Sequence, residues 1–317
     1  MTAFNDLIGL LRGRVSVYHN ARVCGDWIIQ EHALGNTCFH MATQGGCRLA
    51  VPGHGDWVLG EGDLVIFPRE LPHTLTPARP QGGSQRHLSI AEAQHLEGTS
   101  MLCGAVQFEH RCGELLLDTL PAVFVIQCAP ATGWLVRLLA LILEESLRDS
   151  RTDNLLLNRL CELLFAFALR HYAESQGGDE GIMALFVHPR ISGVLQAVHA
   201  APEKDWQLQS LAACAAMSRT HFAKVFKDIS GLTPMQYVTW WRMQIAWSCL
   251  EDGGCVAEVG HKVGYRSEAA FSRAFSKHFA ISAGAVRRGT LGVLRGAAAP
   301  ARDGAGRALT EAGKIYR

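Results

Sequence analysis

The stretch MSRTHFAKVFKDISGLTP, residues 217–234, places cationic and hydroxyl side chains at helical spacing. Phe222 and Phe226 stand one helical turn apart and are expected to face a core. Lysine and arginine neutralise phosphate groups, and arginine and threonine can also hydrogen-bond to base edges. The opposite face of the same helix carries Arg219, Thr220, Lys224 and Lys227, so it has the chemistry for binding a nucleic acid.

The same pattern returns 48 to 49 residues further along the chain. SRTHFAKVFK, residues 218–227, aligns with SEAAFSRAFS, residues 267–276, so that serine, phenylalanine and basic positions coincide. Two ordinary helical hairpins with solvated faces are the alternative, but a register kept through two helices and a turn argues against it. The outward positions of the second copy are Arg266, Ser267, Glu268, Ser272, Arg273 and Lys277.

Each copy is predicted to be a helix, a tight turn and a second helix, with Ser218 and Ser267 as N-caps. Between the copies, residues 232–254 predict one long helix, with Pro234 in its first turn and Gly253 near its end. This is the architecture of a helix-turn-helix, whose second helix enters the major groove. A fixed connecting helix would bring two such helices to groove segments about 10 bp apart.

On these residues, positions 208–288 resemble the tandem helix-turn-helix domain of the AraC/XylS family of transcription regulators. The resemblance implies binding to double-stranded promoter DNA, contact with RNA polymerase, and homodimerisation. Arg219 and Thr220 are expected at base edges, with Lys224 and Lys227 on phosphates. The family usually ends the second copy with Gly, Ser/Thr-Pro and an aromatic residue. This chain has Ala280, Ala283 and Val286 there instead, which predicts a looser last helix and weaker DNA binding by the second copy.

The front half, from Val23 to about Cys128, consists of short apolar runs cut by glycine and proline. Residues 47–75 predict three strands, and the region as a whole predicts a small β-barrel. GDLVIFPRELPH, residues 62–73, resembles the second motif of cupin barrels, with Glu70 where glycine is usual. CFHMATQGG, residues 38–46, resembles the first cupin motif only loosely.

Cys38, His40 and His73 could hold a divalent metal ion in that barrel. Residues at i and i+2 of a strand point the same way, and a neighbouring strand could supply the third ligand. An ordinary barrel interior without metal is the favoured alternative, because Cys-x-His is a common spacing and the acidic ligand of the first motif has no counterpart.

The front half is also similar to a reactive-chlorine-sensing subgroup of the family. CGDW at Cys24 and LCGAVQFEH around Cys103 carry this similarity. It implies that Cys24 and Cys103 sense oxidants, although the spacing from Cys24 to Trp27 is shorter than in a strict counterpart. The alternative is two buried thiols in a barrel wall, since a sensor thiol needs exposure and a lowered pKa.

Two further segments, residues 134–150 and 154–172, predict helices that either cover the barrel or pair with a second subunit. Residues 174–181 are a predicted hinge, and the tail from Gly289 on is predicted to be disordered. The expected domains are therefore a cupin-like sensor at 1–128, a helical dimerisation segment at 129–187, and a DNA-binding domain at 188–288, followed by the tail at 289–317.

Composition is consistent with a globular regulator. The formal net charge is +1, but residues 204–288 hold 11 Lys and Arg against 6 Asp and Glu. The ten cysteines form no C-x-x-C pair, which favours reduced thiols. The sequence predicts neither a membrane span nor a signal peptide, so we expect a cytoplasmic protein.

These features together predict an α+β chain that regulates transcription and is not an enzyme. Two other function classes remain as alternatives. One is a metal-dependent cupin enzyme with an accessory helical domain, and the other is a helical adaptor that binds protein.

Overall fold

The computed structural model describes residues 2–11, 13–30, 35–93, 95–108, 117, 120–149, 151–175 and 181–289. The tail that is predicted to be disordered lies outside these residues except for Gly289, and most of the predicted hinge and Cys112 lie outside them too. The chain divides into two compact units, one formed by residues 3–187 and one that begins at His188.

The front unit starts with helix α1, Thr2–Leu11, which buries Phe4, Leu7 and Leu11 at positions i, i+3 and i+7. Strands follow at Gly13–Cys24 (β1), Thr37–Gln44 (β2), Cys47–Val51 (β3), Gly55–Leu59 (β4), Leu64–Phe67 (β5), Thr74–Pro77 (β6), Arg86–Leu88 (β7), Thr99–Phe108 (β8) and Phe124–Ile126 (β9).

Within the described residues the strands form two antiparallel sheets. One has six strands in the order β7-β1-β8-β2-β5-β9, and the other has three in the order β4-β3-β6. The alternation of strand β3 shows why the sheets pack together: Cys47, Leu49 and Val51 are buried, and the residues between them are exposed or half-buried. One hydrophobic cluster combines these side chains with residues of the larger sheet, among them Val23 and Phe67.

Two expectations about this unit need correction. Residues 47–75 contain four strands, β3 to β6, where three are predicted, because the short turn at 52–54 separates β3 from β4 as a hairpin. The sheet also begins earlier than Val23, since β1 starts at Gly13. This stretch contains no apolar run, because exposed residues alternate with the buried Val15 and Val17, and that alternation is itself the sequence signal of a half-buried strand.

Helices α2, Gly133–Arg148, and α3, Leu155–Ser175, confirm the two predicted helical segments. A short helix, α4, follows at Ile182–Val187. Helix α3 is tied to strand β1, because the Val17 amide donates a hydrogen bond of 2.9 Å to Asn158 Oδ1. Large apolar side chains remain exposed on both long helices, namely Val136, Leu141, Leu147, Leu155, Leu156 and Leu163.

The back unit is helical in its described part. Its helices are Ser192–Ala200 (α5), Leu208–Cys214 (α6), Arg219–Ser230 (α7), Pro234–Glu251 (α8), Val256–Lys262 (α9), Glu268–Phe279 (α10) and Ala283–Arg287 (α11). Helix α8 runs between the two copies of the repeat, as predicted. Among the described residues, no helix has both the length and the apolar character needed to cross a membrane.

Candidate nucleic-acid interface

The first helix-turn-helix consists of α6 and α7. Ser218 directly precedes helix α7, and its hydroxyl oxygen accepts a hydrogen bond of 3.3 Å from the His221 amide, so the predicted N-cap is confirmed. Phe222 and Phe226 are fully buried and meet edge to face, with ring centroids 5.6 Å apart. Two buried aromatic side chains on one side of a helix leave its other side to solvent.

The second helix-turn-helix, α9 and α10, repeats this construction. The Ser267 hydroxyl oxygen accepts a hydrogen bond of 3.3 Å from the Ala270 amide, and Phe271 and Phe275 are fully buried. Phe271 also packs closely against α9 at Gly260, where an added Cβ would lie only 3.0 Å from the phenylalanine side chain. The equivalence seen in the sequence is therefore an equivalence of caps, cores and turns.

Helix α8 supports both copies. Near its start, Tyr237 packs against Phe226, with ring centroids 5.7 Å apart. Near its end, Trp247 stacks on Phe275 at 5.8 Å. Trp247 lies ten residues after Tyr237, which corresponds to about 15 Å of helix, so one continuous helix holds the two copies at a set separation.

The outward faces of α7 and α10, together with the two residues that precede α10, carry the predicted binding residues. Those that are exposed are Arg219, Thr220, Lys224, Lys227, Arg266, Ser267, Glu268, Arg273 and Lys277, and Ser272 is half-buried. Among described residues, no acidic side chain pairs with the lysines and arginines of this set, so their charge is available to an anionic partner. His221, which is not among the predicted binding residues, is exposed in the same first turn of α7.

Hydrogen bonds between helix α8 and the loop after α5 are a second feature that the sequence does not predict. The Arg242 guanidinium donates hydrogen bonds of 2.7 Å to the carbonyl oxygens of Pro202 and Lys204. Burial lowers the pKa of Arg242, although Tyr265 and the nearby acidic side chains oppose this shift. The contact joins residues 38 to 40 positions apart, and the local sequence contains no pattern for it.

The end of the second copy is helical despite its unusual residues. Ser282 caps the start of helix α11, since its hydroxyl oxygen accepts a hydrogen bond from the Ala285 amide, and Ala283 and Val286 are buried. The strain in this region lies instead at Ala280, which ends α10 in the left-handed conformation with φ +56°. Gly231 ends α7 in the same way with φ +72°.

Replacing Ala280 with glycine should therefore stabilise the back unit by roughly 0.5–1 kcal/mol. The left-handed conformation costs a residue with a Cβ about 1–2 kcal/mol. Removing this strain is partly offset, because glycine loses more conformational entropy on folding than alanine does. Denaturant unfolding measures the change. Gly231→Ala is the matched control at the equivalent position, where a Cβ would touch nothing, and it should destabilise by a similar amount. A destabilised Ala280→Gly protein would contradict this explanation.

The two cysteines proposed as sensors do not meet in this structure. Cys103 lies on β8 close to His19 of β1, which is its register partner, and Cys24 lies five residues further along β1. At about 3.3 Å per residue the two are roughly 17 Å apart, whereas a disulfide requires Cα atoms within about 7 Å. Both side chains are buried, and burial raises the pKa of the Cys103 thiol.

The predicted metal-binding residues do lie together. His40 Nε2 is 3.0 Å from His73 Nε2 and 4.0 Å from Cys38 Sγ. Glu70 joins them, since its carboxylate and the ligand atoms of Cys38 and His40 all lie within 4.8 Å of one another. Burial, and then the nearby Glu70, raise the pKa of the Cys38 thiol. The sequence signal for Glu70 is its place at a motif position where glycine is usual.

Comparison with known proteins gives two family matches. The cupin family matches residues 3–174, and the helix-turn-helix domain family matches residues 211–289. The DNA-binding domain of AdpA, solved in complex with a target DNA, is 29% identical to this chain with a TM-score of 0.31; the match covers 33% of this chain and 95% of that one.

Full-length relatives resemble the chain over nearly its whole length. The RCS-specific HTH-type transcriptional activator RclR of Escherichia coli (strain K12) is 27% identical, over 90% of this chain and 97% of that protein. A Streptomyces lividans protein named as an AraC-like transcription regulator is 28% identical, over 91% of this chain and 98% of that protein. With its cupin match and its duplicated helix-turn-helix, the chain belongs to the AraC/XylS family of DNA-binding transcription regulators and carries an N-terminal cupin domain.

Proposed function

We propose that the back unit reads promoter DNA with α7 and α10 in successive major-groove segments. The observation that carries this proposal is the duplicated helix with a buried phenylalanine pair on one side and unpaired basic side chains on the other. Arg219 and Thr220, in the first turn of α7, are assigned to base edges. The side chains assigned to phosphates are Lys224 and Lys227 in the first copy and Arg273 and Lys277 in the second.

Retardation of DNA fragments from the region upstream of the protein's own gene tests this assignment. Binding should weaken steeply as salt rises, because each phosphate contact releases counterions and adds about 0.9 to the slope of log K against log salt. A salt-independent affinity would contradict phosphate binding. If no fragment is retarded under any condition, the helical adaptor becomes the better account.

The front unit is proposed to be a cupin barrel that receives a signal. Its two sheets share one hydrophobic core, and a bridge between Ile29 and Leu75 brings the segment after β1 against strand β6 of the smaller sheet. These contacts support closure into a barrel. The Escherichia coli relative is named as an activator, which supports activation in concert with RNA polymerase. A protein that works on chromosomal DNA would act in the cytoplasm.

Homodimerisation is proposed to use helices α2 and α3. Large apolar side chains are exposed on both, and they include Leu155, Leu156 and Leu163 at helical spacing on α3. Covering such side chains with those of a second copy would remove them from water, which stabilises association by about 25 cal/mol per Å² of apolar surface. A dimer would also place two back units on one promoter.

The signal is proposed to be an oxidant acting through Cys24 and Cys103, or a small molecule. The Escherichia coli relative is named an RCS-specific activator, and this name supports an oxidant as the signal. An open cavity of about 430 Å³, whose lining includes Arg22, Arg79 and Gln81, supports the second. Because Cys24 and Cys103 are buried and distant, the oxidant route requires the strands around them to open before either thiol reacts.

Hypochlorite treatment followed by mass-spectrometric mapping of cysteine modification distinguishes an oxidant signal from a small-molecule signal. If the thiols carry the signal, modification of Cys24 and Cys103 should rise together with the change in transcription, and it should lag behind that of the exposed Cys214. A change in DNA-dependent transcription while both thiols remain reduced would remove the oxidant route through them. Cys214→Ser serves as a control that keeps the response.

A further inference from the structure

A cysteine and a lysine meet where helix α8 is followed by helix α9. Lys262, the last residue of α9, directs its Nζ at the Sγ of Cys249 near the end of α8, and the two atoms are 3.4 Å apart. Glu258 lies one turn earlier on α9, at a spacing that often forms an ion pair with lysine. Among the described residues, however, Lys262 makes no ion pair and no hydrogen bond other than the one to Cys249.

The packing of the two helices fixes this contact. Cys249 and Val256 both pack against the hydrophobic cluster that α8, α9 and α10 share. The Gly254 amide donates a hydrogen bond of 2.9 Å to the Cys249 carbonyl oxygen, and an added Cβ at Gly254 would lie 2.9 Å from Val259 Cγ2. This tight turn holds the end of α8 against α9, so the meeting of Cys249 with Lys262 is a property of the folded unit.

The thiol of Cys249 is more accessible than those of the two front cysteines. Cys249 is half-buried, whereas Cys24 and Cys103 are buried. Oxidation of a thiol places a leaving group on the sulfur, and a nitrogen nucleophile can then displace it to form a sulfenamide. Because the amine of Lys262 already lies beside the sulfur, this second step needs no encounter in solution.

We propose that hypochlorous acid links Cys249 to Lys262 through a sulfur–nitrogen bond. The oxidant first transfers its chlorine to Sγ, so the sulfur loses two electrons, and the thiol proton leaves with the hydroxide as water. Nζ, after its ammonium group has lost a proton to solvent, attacks the sulfur. The S–N bond forms, the S–Cl bond breaks, chloride leaves with the electron pair, and the nitrogen loses a further proton. The oxidant is thereby reduced to chloride, and the chain becomes two hydrogen atoms lighter.

This crosslink acts on the DNA-binding unit itself. It goes beyond the oxidant route proposed for the front unit, because it requires neither Cys24 nor Cys103. It joins the connecting helix α8 to the second helix-turn-helix and removes the positive charge of Lys262. The competing explanation is an ordinary surface contact, in which Cys249 oxidises to sulfinic and sulfonic acids without the lysine.

Trypsin digestion gives a direct readout, because both residues lie in one tryptic peptide. Successive cleavage sites in this part of the chain are Arg242, Lys262 and Arg266. The untreated, purified chain should therefore yield peptide 243–262. After treatment with a small molar excess of hypochlorite, cleavage after Lys262 should fail, because its nitrogen is bonded to sulfur. We expect peptide 243–266, two hydrogen atoms lighter than its reduced form, and cleavage after Lys262 should return on reduction with dithiothreitol.

Three variants separate the crosslink from other reactions. Lys262→Arg keeps the charge and the cleavage site of an exposed residue, but a guanidinium does not give up its proton and cannot attack the sulfur. Cleavage after position 262 should therefore survive oxidation in this variant. Lys227→Arg changes another exposed lysine of the same unit and should still form the crosslink. Cys255→Ser should form it too, since Cys255 takes no part.

Two results would overturn the proposal. One is a two-hydrogen loss with normal cleavage after Lys262, which indicates a disulfide between Cys249 and Cys255. The other is a Cys249 that stays reduced, or that gains oxygen atoms equally in the unmodified chain and in Lys262→Arg. Cys24 and Cys103 lie in other tryptic peptides, so the same digest reports the oxidant route proposed for them separately. No DNA enters the measurement, so failure of the proposed DNA contacts would also be seen separately.

Discussion

Replacing Gly264 with alanine should destabilise the back unit by about 2–4 kcal/mol, which is a large part of the stability of a typical domain. Gly264 has φ +89°, a conformation that costs other residues about 1–2 kcal/mol. An added Cβ would also lie 2.8 Å from the carbonyl oxygen of Glu203 and 2.9 Å from Arg242 Nη2. The Glu203 contact is with backbone, so relief of the overlap would require the turn between α9 and α10 to move.

Gly253→Ala is the matched control for this substitution. Gly253 also has φ +89°, but no heavy atom lies within 4 Å of its would-be Cβ. The control should therefore lose only the conformational part, about 0.5–1 kcal/mol once the lower entropy of the unfolded alanine chain is included. Denaturant unfolding of both variants measures the difference between them, which is the cost of the overlap. Equal losses in the two variants would mean that the overlap between the added Cβ at position 264 and the backbone of Glu203 costs no stability.

Arg219→Ala should lower the affinity for the cognate DNA sequence by about 1–3 kcal/mol, or roughly 5- to 150-fold. Arg219 is exposed in the first turn of α7, which is the part of a reading helix that meets base edges. Loss of a base contact should reduce discrimination as well, so affinity for unrelated DNA should change much less. Titration of labelled cognate and scrambled fragments at one fixed salt concentration measures both.

Lys224→Ala is the comparison variant, because Lys224 lies five residues further along the same helix and is assigned to a phosphate. It should weaken binding to both fragments by a similar factor and flatten the salt slope by about one unit. If Arg219→Ala also weakens both fragments equally, the arginine contacts a phosphate, and the assignment to a base edge is wrong. An unchanged slope in Lys224→Ala would remove Lys224 from the phosphate contacts.

The back unit follows from its sequence because its determinants are local. A serine cap bonds to an amide three residues further on, and the paired phenylalanines are four residues apart. Because the motif occurs twice, each of these positions can be recognised in two copies. Contacts between distant segments are different. Stacking of His199 on Trp241 at 3.4 Å and the Arg242 bonds to the loop at 202–204 depend on how the helices pack, for which the sequence has no periodic signal.

The front unit was predictable only in part. Turn residues and apolar runs predict a sheet domain, and Cys38, His40 and His73 are indeed grouped. The membership of Glu70 depends on a connection folding back over β2, and the separation of Cys24 from Cys103 depends on the register of β1 against β8. Both are properties of strand pairing, which a single sequence specifies weakly.

The central claim is that α7 and α10 engage one duplex together at the separation that α8 sets. Its most direct test is the affinity of the chain for a footprinted operator with 5 bp inserted between the two protected groove segments. Half a helical turn moves the second segment to the other side of the duplex, so affinity should fall at least tenfold. An unchanged affinity would show that a single copy accounts for binding and would contradict the claim.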